Sequence, residues 1–337
     1  MHVIQRKRGV KAAGLWLLVM LGLCSLGLWV VVALVFHNHP ALLALAATAY
    51  VFGLRHALDA DHIAAIDGVT RRLLAAGKNR ISVGLMFSLG HSTVVVGLSL
   101  LLIISVNRVS HSLSGLLKFG TVFGGVVSAA LLLAVGGANF WGLYHSWRQE
   151  KIRRTDRLAP ESQDVITSGP GGLFTKLFGP VLKLVDTNWK MFLVGFLFGL
   201  GFDTASEIAI LVISAGTASQ GIPFWYCLLF PLLFAAGMAL VDSLDNLLIL
   251  SACTWALTTP RGARYYNAAM TMTTIVMATG IGIIEIWGIL SPRTGSWIAI
   301  INSHFVFVGV GFVLITATLW LGLWLVYRLR AKAISVC

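Results

Sequence analysis

Long apolar runs separated by short polar segments dominate this chain. A helix needs about 20 consecutive apolar residues to cross roughly 30 Å of hydrocarbon, where it satisfies its own backbone polar groups. Eight runs of this kind can be read along the 337 residues, near positions 15–36, 42–66, 81–106, 119–143, 189–214, 224–253, 268–290 and 297–327. The pattern predicts an all-α polytopic membrane protein with eight transmembrane helices.

Composition and charge agree with a membrane protein. The chain is 57% hydrophobic and only 11% charged, with a net charge of +12. In a soluble protein such an excess of positive charge would favour nucleic acid as a partner. Here the basic residues gather in alternate segments between the runs, and the segments predicted to lie outside hold only Arg108, Lys118 and Arg293. The positive-inside rule therefore predicts a cytoplasmic (inner) membrane protein with both termini in the cytoplasm and no nucleic-acid partner.

One long connection divides the chain. Residues 144–188 mix charged residues with prolines and glycines, including Pro160, Pro170 and Gly169, as in a flexible linker. We therefore expect an N-terminal membrane half at 1–143, a cytoplasmic linker at 144–188 and a C-terminal membrane half at 189–337.

The two halves share a weak internal similarity. The segment FGLRHALDADHIA at 52–64 resembles FGLGFDTASEIA at 198–209 with one gap, which places His62 opposite Glu207. The next span repeats this likeness, since LMFSLGH, ending at His91, matches LLFAAGM, ending at Met238. Because the second span would run inward and the fifth outward, the sequence predicts an inverted repeat, with a substrate site at the repeat interface. Chance similarity between apolar helices is the alternative.

Ionisable residues within the predicted spans are the main functional signal, because each is costly in hydrocarbon. The second span ends in RHALDADHIAAID, residues 55–67. On a regular helix Arg55, His56, Asp59 and His62 share one face, whereas Asp61 points the other way and would meet this set only if the helix were locally broken. We expect Arg55 to pair with a carboxylate, since it cannot lose its proton.

Other spans add polar side chains of the same kind. The third contributes His91, the fifth Asp203 and Glu207, and the sixth Asp242 and Asp245. Each pair of acidic residues is spaced to share a helix face, and like carboxylates buried together need a cation or protons to relieve their repulsion. His37 and His39 lie at the predicted outer mouth and are weaker candidates, because loop histidines are usually only solvated.

Imidazole and carboxylate donors together suit nickel, cobalt, zinc or iron, and match copper(I) poorly. Magnesium and calcium prefer oxygen ligands alone, so the histidines would reject these abundant ions. The alternative is a buried ion-pair network that only holds the second span against its neighbours.

Four motifs resemble those of the nickel/cobalt transporter family, the high-affinity nickel permeases of bacteria. They are RHALDADHIAAID, LGHSTVV at 89–95, GFDTASEI at 201–208 and GMALVDSLDN at 237–246, in the family's order. The resemblance covers essentially the whole chain and implies the same eight-helix topology. It also implies that some residues are essential for metal recognition and that others support it. The first set is His56, Asp59, Asp61 and His62, and the second is His91, Asp203, Glu207, Asp242 and Asp245.

Two departures from the family pattern bear on the choice of metal. Leu58 stands where the family has Val or Phe, a position tied to metal preference, and Ser243 replaces the usual Thr. Ni²⁺ is therefore the expected substrate with Co²⁺ open. Related efflux proteins carry a His-rich cytoplasmic loop, whereas the long loop here has only His145. This difference favours uptake.

No phosphate-binding motif of the G-x-x-x-x-G-K-[ST] kind is present, so we expect a secondary transporter that needs no ATPase subunit and no prosthetic group. Membrane potential, a proton gradient or both would drive it. An intramembrane metal-dependent enzyme is the main alternative, since bound metal can activate water. The sequence contains no H-E-x-x-H motif, which argues against an enzyme of this kind. A metal sensor is not favoured either, because no segment resembles a soluble signalling domain.

Overall fold

The computed structural model describes residues 2–75, 77, 81–105, 112–155, 187, 189–201, 205–256 and 262–290, with parts of 307–322. This part of the chain is all helical, apart from turns. The helices are α1 (His2–Phe36), α2 (Pro40–His56), α3 (Ala60–Ala75), α4 (Val83–Ser105), α5 (Ser112–Thr155), α6 (Lys190–Gly199), α7 (Ala205–Ser219), α8 (Phe224–Cys227), α9 (Leu229–Ala256) and α10 (Gly262–Leu290). Residues 307–311 are also helical.

Within the described part of the chain, five stretches are long and apolar enough to cross a membrane. They are Ala12–Phe36, Val83–Ile104, Val122–His145, Phe224–Cys253 and Ala268–Leu290, and the bent pair α2 and α3 makes a sixth. The all-α membrane fold is thereby confirmed, while the count of eight spans stays a prediction because most of the eighth run lies outside the described residues. The region described also includes the start of the predicted linker, where α5 continues to Thr155.

The second apolar run, predicted as one helix, is broken in the middle. Helix α2 ends at His56, α3 begins at Ala60, and the two axes differ by 50°. In the turn between them, the Leu58 and Asp59 amides donate to carbonyls only three residues back, at 3.0 and 2.9 Å. The regular-helix geometry expected for residues 42–66 is therefore wrong, because this tightened turn redirects the chain.

The fifth run is also divided. Helix α6 ends at Gly199 and α7 begins at Ala205, with residues 202–204 outside the described part. In the alignment of the two halves, Ala205 stands opposite Ala60, where α3 begins. Both runs are thus divided within the aligned segments, which supports the inverted repeat as a prediction.

Glycines let helices from opposite halves touch backbone to backbone. A Cβ on Gly53 of α2 would lie 2.1 Å from the Phe234 carbonyl oxygen of α9. A Cβ on Gly90 of α4 would lie 1.9 Å from the Phe192 carbonyl oxygen of α6. The second span therefore crosses the sixth and the third crosses the fifth, so the two halves interlock.

Two apolar clusters fill the interior. Cluster 1 lies among α1, α2, α7 and α9 with Val95 of α4, and cluster 2 lies among α3, α4, α5, α6 and α10. Each divided run contributes one helix to each cluster, so the breaks lie between the clusters. Helix α1 is peripheral and exposes large apolar side chains such as Trp16 and Leu34, as expected for a lipid-facing helix.

The glycine crossing predicts a strong effect of one methyl group. Gly90→Ala should lower the melting temperature of the detergent-purified protein, since overpacking costs about 1–3 kcal/mol or more when backbone must move. Gly97→Ala on the same helix is the matched control, because its Cβ would meet nothing within 4 Å. Equal melting temperatures for the two variants would show that the α4–α6 contact is looser than described.

Candidate metal centre

Three histidines from two spans meet at the break in the second span. His56 ends α2, His62 lies in the first turn of α3, and His91 comes from α4. One ligand nitrogen from each lies within 4.8 Å of the others, and all three side chains are buried. The bend makes this possible, because it brings the end of one helix and the start of the next around a common point.

Asp59 fixes the orientation of His56. Its Oδ2 lies 2.9 Å from Nδ1 of His56 and accepts a hydrogen bond from the protonated nitrogen. The other nitrogen, Nε2, is then the one with a lone pair to offer. A carboxylate on the far side of a ligating imidazole is a common support for metal-binding histidines.

Glu207 joins the cluster from α7. Its Oε1 lies 2.7 Å from Nε2 of His91 and 3.6 Å from Nε2 of His56. The two histidine Nε2 atoms are themselves 3.1 Å apart. The carboxylate is fully buried, so it meets the two imidazole nitrogens without bulk water.

These separations match a metal's ligand shell. Two donors each about 2.1 Å from one ion lie about 3.0–3.4 Å apart at octahedral or tetrahedral angles. The 3.1 Å between His56 and His91 falls in that range, the 2.7 Å between His91 and Glu207 is shorter, and the 3.6 Å between His56 and Glu207 is slightly longer. Three imidazoles with a carboxylate are also a donor set suited to nickel, cobalt or zinc.

Several polar atoms around the cluster have no hydrogen-bond partner among the described residues. These are both ring nitrogens of His62, Oδ1 of Asp61 and both carboxylate oxygens of Asp242. Asp242 lies 3.6 Å from Nδ1 of His62, and Asp61 is close enough to act electrostatically on His56 and His62. Buried polar atoms rarely stay unpaired, so this region fits a charged ligand.

The remaining predicted residues have three different outcomes. Asp245 is buried, and Asp242, Asp67 and Arg71 lie close enough to act on it electrostatically. Asp203 lies outside the described residues. Arg55 is exposed and makes no ion pair with any described carboxylate, so the pairing expected for it is not seen there.

Sequence reasoning missed a second polar network next to Asp245. Arg71 donates to both oxygens of Asp67 at 2.7 and 2.9 Å, and Thr274 of α10 also donates to Asp67. Thr70 donates to Asn246 at 2.8 Å. The spacing of four residues between Asp67 and Arg71 was the available sequence signal for this ion pair.

The chain is similar to known nickel transporters. Residues 42–326 match the family model NicO, described as high-affinity nickel-transport protein. The chain is 39% identical to a high-affinity nickel transport protein of Cupriavidus necator over 91% of this chain and 89% of that one. It is 38% identical to the nickel transporter NixA of Staphylococcus aureus, over 88% and 87%.

A cobalt transporter is also among the relatives. The chain is 34% identical to the cobalt transport protein NhlF of Rhodococcus rhodochrous, over 84% of this chain and 82% of that one. No solved structure matches. The named relatives are transporters, which confirms the prediction of a transporter and not an enzyme. The chain therefore belongs to the NicO family of high-affinity nickel-transport proteins.

Proposed function

We propose that this chain is a permease that takes up Ni²⁺ across the cytoplasmic membrane, with Co²⁺ as a second candidate substrate. The buried cluster of His56, His62, His91 and Glu207 carries the proposal. Its donor atoms lie close enough together to hold one metal ion, and its burial among membrane-spanning helices suits transport. Both termini would lie in the cytoplasm, as the distribution of basic residues predicts.

The ligand set would work by replacing the ion's water shell. His56, His91 and Glu207 would provide the first three donors, and His62 would complete the set with one of its unpaired nitrogens. Asp59 would hold His56 in the ligating orientation through Nδ1. Magnesium and calcium, which favour oxygen ligands, would gain too little from the imidazoles to give up their water.

The acidic residues beyond the histidines would form the way out. Asp242 faces His62, and Asp245 interacts with both Asp242 and Asp67. In the predicted topology this line leads toward the cytoplasm. Asp61 and Asp203 would add negative charge near the site and its approach. An ion leaving the imidazoles would thus pass from nitrogen donors to oxygen donors, which hold nickel less tightly.

No ATP is needed for accumulation. An inside-negative potential favours the inward movement of one charge by about 2.3 kcal/mol per 100 mV, and of a dication by twice that amount. This energy supports a gradient of about three orders of magnitude, since each 1.4 kcal/mol is tenfold.

Substitution of a proposed ligand should reduce nickel uptake more than substitution of a residue that only supports a ligand. His91→Ala should lower uptake of radioactive nickel at limiting concentration by more than the roughly 10–100-fold that losing an outer partner costs. Asp59→Ala should fall within that 10–100-fold range, because it removes the orienting carboxylate and not a ligand.

The matched control for these variants is His37→Ala, whose side chain is exposed in the turn after α1. It should transport as the unchanged protein does, at equal amounts of protein in the membrane. Unchanged uptake by His91→Ala would remove the histidine cluster from the transport path.

Driving force should be visible in reconstituted liposomes. A potassium diffusion potential of about 100 mV, inside negative, should raise nickel accumulation steeply, because the dication carries two charges through the field. The controls are liposomes with no imposed potential and liposomes with only a pH gradient. Uptake indifferent to both potential and pH gradient would contradict a secondary transporter of this kind.

A further inference from the structure

Two buried phenylalanines cover the three histidines. The ring centroid of Phe234 lies 5.4 Å from that of His56, and the Phe87 ring packs edge-on against His62 at 4.9 Å. Both phenylalanines are fully buried. A benzyl side chain offers no donor atom to a metal ion, so these rings close off the ligands without joining them.

The two rings lie on opposite sides of the site. Helices α4 and α9 are antiparallel, since Gly84 packs on the Asp242 carbonyl while Val95 shares cluster 1 with Phe234. Along α4, Phe87 lies between Gly84 and His91, so it precedes His91 by about one turn. On α9, the Phe234 carbonyl packs on Gly53 of α2, which precedes His56 by about one turn, so Phe234 lies on the side of the site from which α2 enters.

The apolar clusters agree with this placement. Phe234 belongs to cluster 1 with α2 and α7, and Phe87 belongs to cluster 2 with α3 and α6. Each ring therefore links one of the two clusters to a histidine of the site.

The repeat relates the same two residues. Phe87 and Phe234 occupy the same position in the aligned segments LMFSLGH and LLFAAGM. The partners correspond as well, because Phe87 packs on Phe198 at 5.3 Å, and the aligned Phe52 packs against cluster 1, which holds Phe234. An inverted repeat would exchange the roles of equivalent residues on the two sides of the membrane.

We propose that Phe87 and Phe234 are the two gates of the metal site, and that transport opens them one at a time. In the predicted topology Phe234 closes the site toward the outside and Phe87 closes it toward the cytoplasm. The proposal rests on the proposed function, since it assumes that the histidines hold nickel. The described state, with both rings buried against the histidines, is then the occluded one.

Sided release of bound nickel tests the gates. Right-side-out and inside-out membrane vesicles containing the protein are equilibrated with radioactive nickel, and a membrane-impermeant chelator is then added outside. Phe234→Ala should speed the release of bound nickel about tenfold from right-side-out vesicles only, which corresponds to about 1.4 kcal/mol removed from the barrier. Phe87→Ala should do the same from inside-out vesicles only.

Two further variants separate gating from damage to the core. Phe36→Ala is the matched control, because it removes a fully buried ring of cluster 1 that packs on Tyr226 and Phe230. It should leave release from both sides unchanged. Phe234→Leu and Phe87→Leu keep the core filled, and they should give smaller accelerations on the same sides as the alanine variants.

The outcomes are distinct. Equal acceleration on both sides by either variant, or acceleration by Phe36→Ala as large as that by Phe234→Ala, would overturn the gates while leaving nickel binding intact. A wild-type protein that holds no nickel in either kind of vesicle would overturn the metal site itself, and the gates with it.

Discussion

The structure depends on burying imidazoles and carboxylates at the point where two spans are interrupted. Such groups are expensive in a low-dielectric interior unless they pair with one another or with an ion. His56, His91 and Glu207 meet within hydrogen-bond distance, and Asp59 completes the set through His56. The ring nitrogens of His62 and the carboxylate oxygens of Asp242 remain without hydrogen-bond partners among the described residues. The dication proposed as substrate would interact favourably with both the paired and the unpaired groups.

The helix breaks give the site its polarity as well as its shape. The carboxyl end of α2 carries the negative end of its dipole toward the histidines, which favours a cation there. The amino ends of α3 and α7 would oppose a cation, and both carry an acidic residue in the first turn, Asp61 and Glu207. These carboxylates offset the positive helix ends. The acidic residues next to the helix breaks therefore make these positions more favourable for a cation.

The sequence carried the membrane fold and the chemical nature of the site, but not its geometry. Periodicity on a regular helix could not show the turn at Leu58, because that turn depends on tertiary contacts. Among them, the C-terminal Gly309 approaches so closely that a Cβ would lie 2.0 Å from the Leu58 carbonyl oxygen. The four-residue spacing of Asp67 and Arg71 can be read from the sequence, but the burial of Arg71 cannot, because it depends on contacts with distant parts of the chain.

The interlocked halves limit how the site can open. The backbone contacts of Gly53 with α9 and of Gly90 with α6 join one half to the other on both sides of the histidines. If one half slid past the other, these contacts would break. The facing backbones are too close together for side chains to rearrange between them. Movement of single rings such as Phe87 and Phe234 disturbs none of them. Close packing at the crossings and mobility at the rings are therefore compatible, and small local motions suffice for an ion of this size.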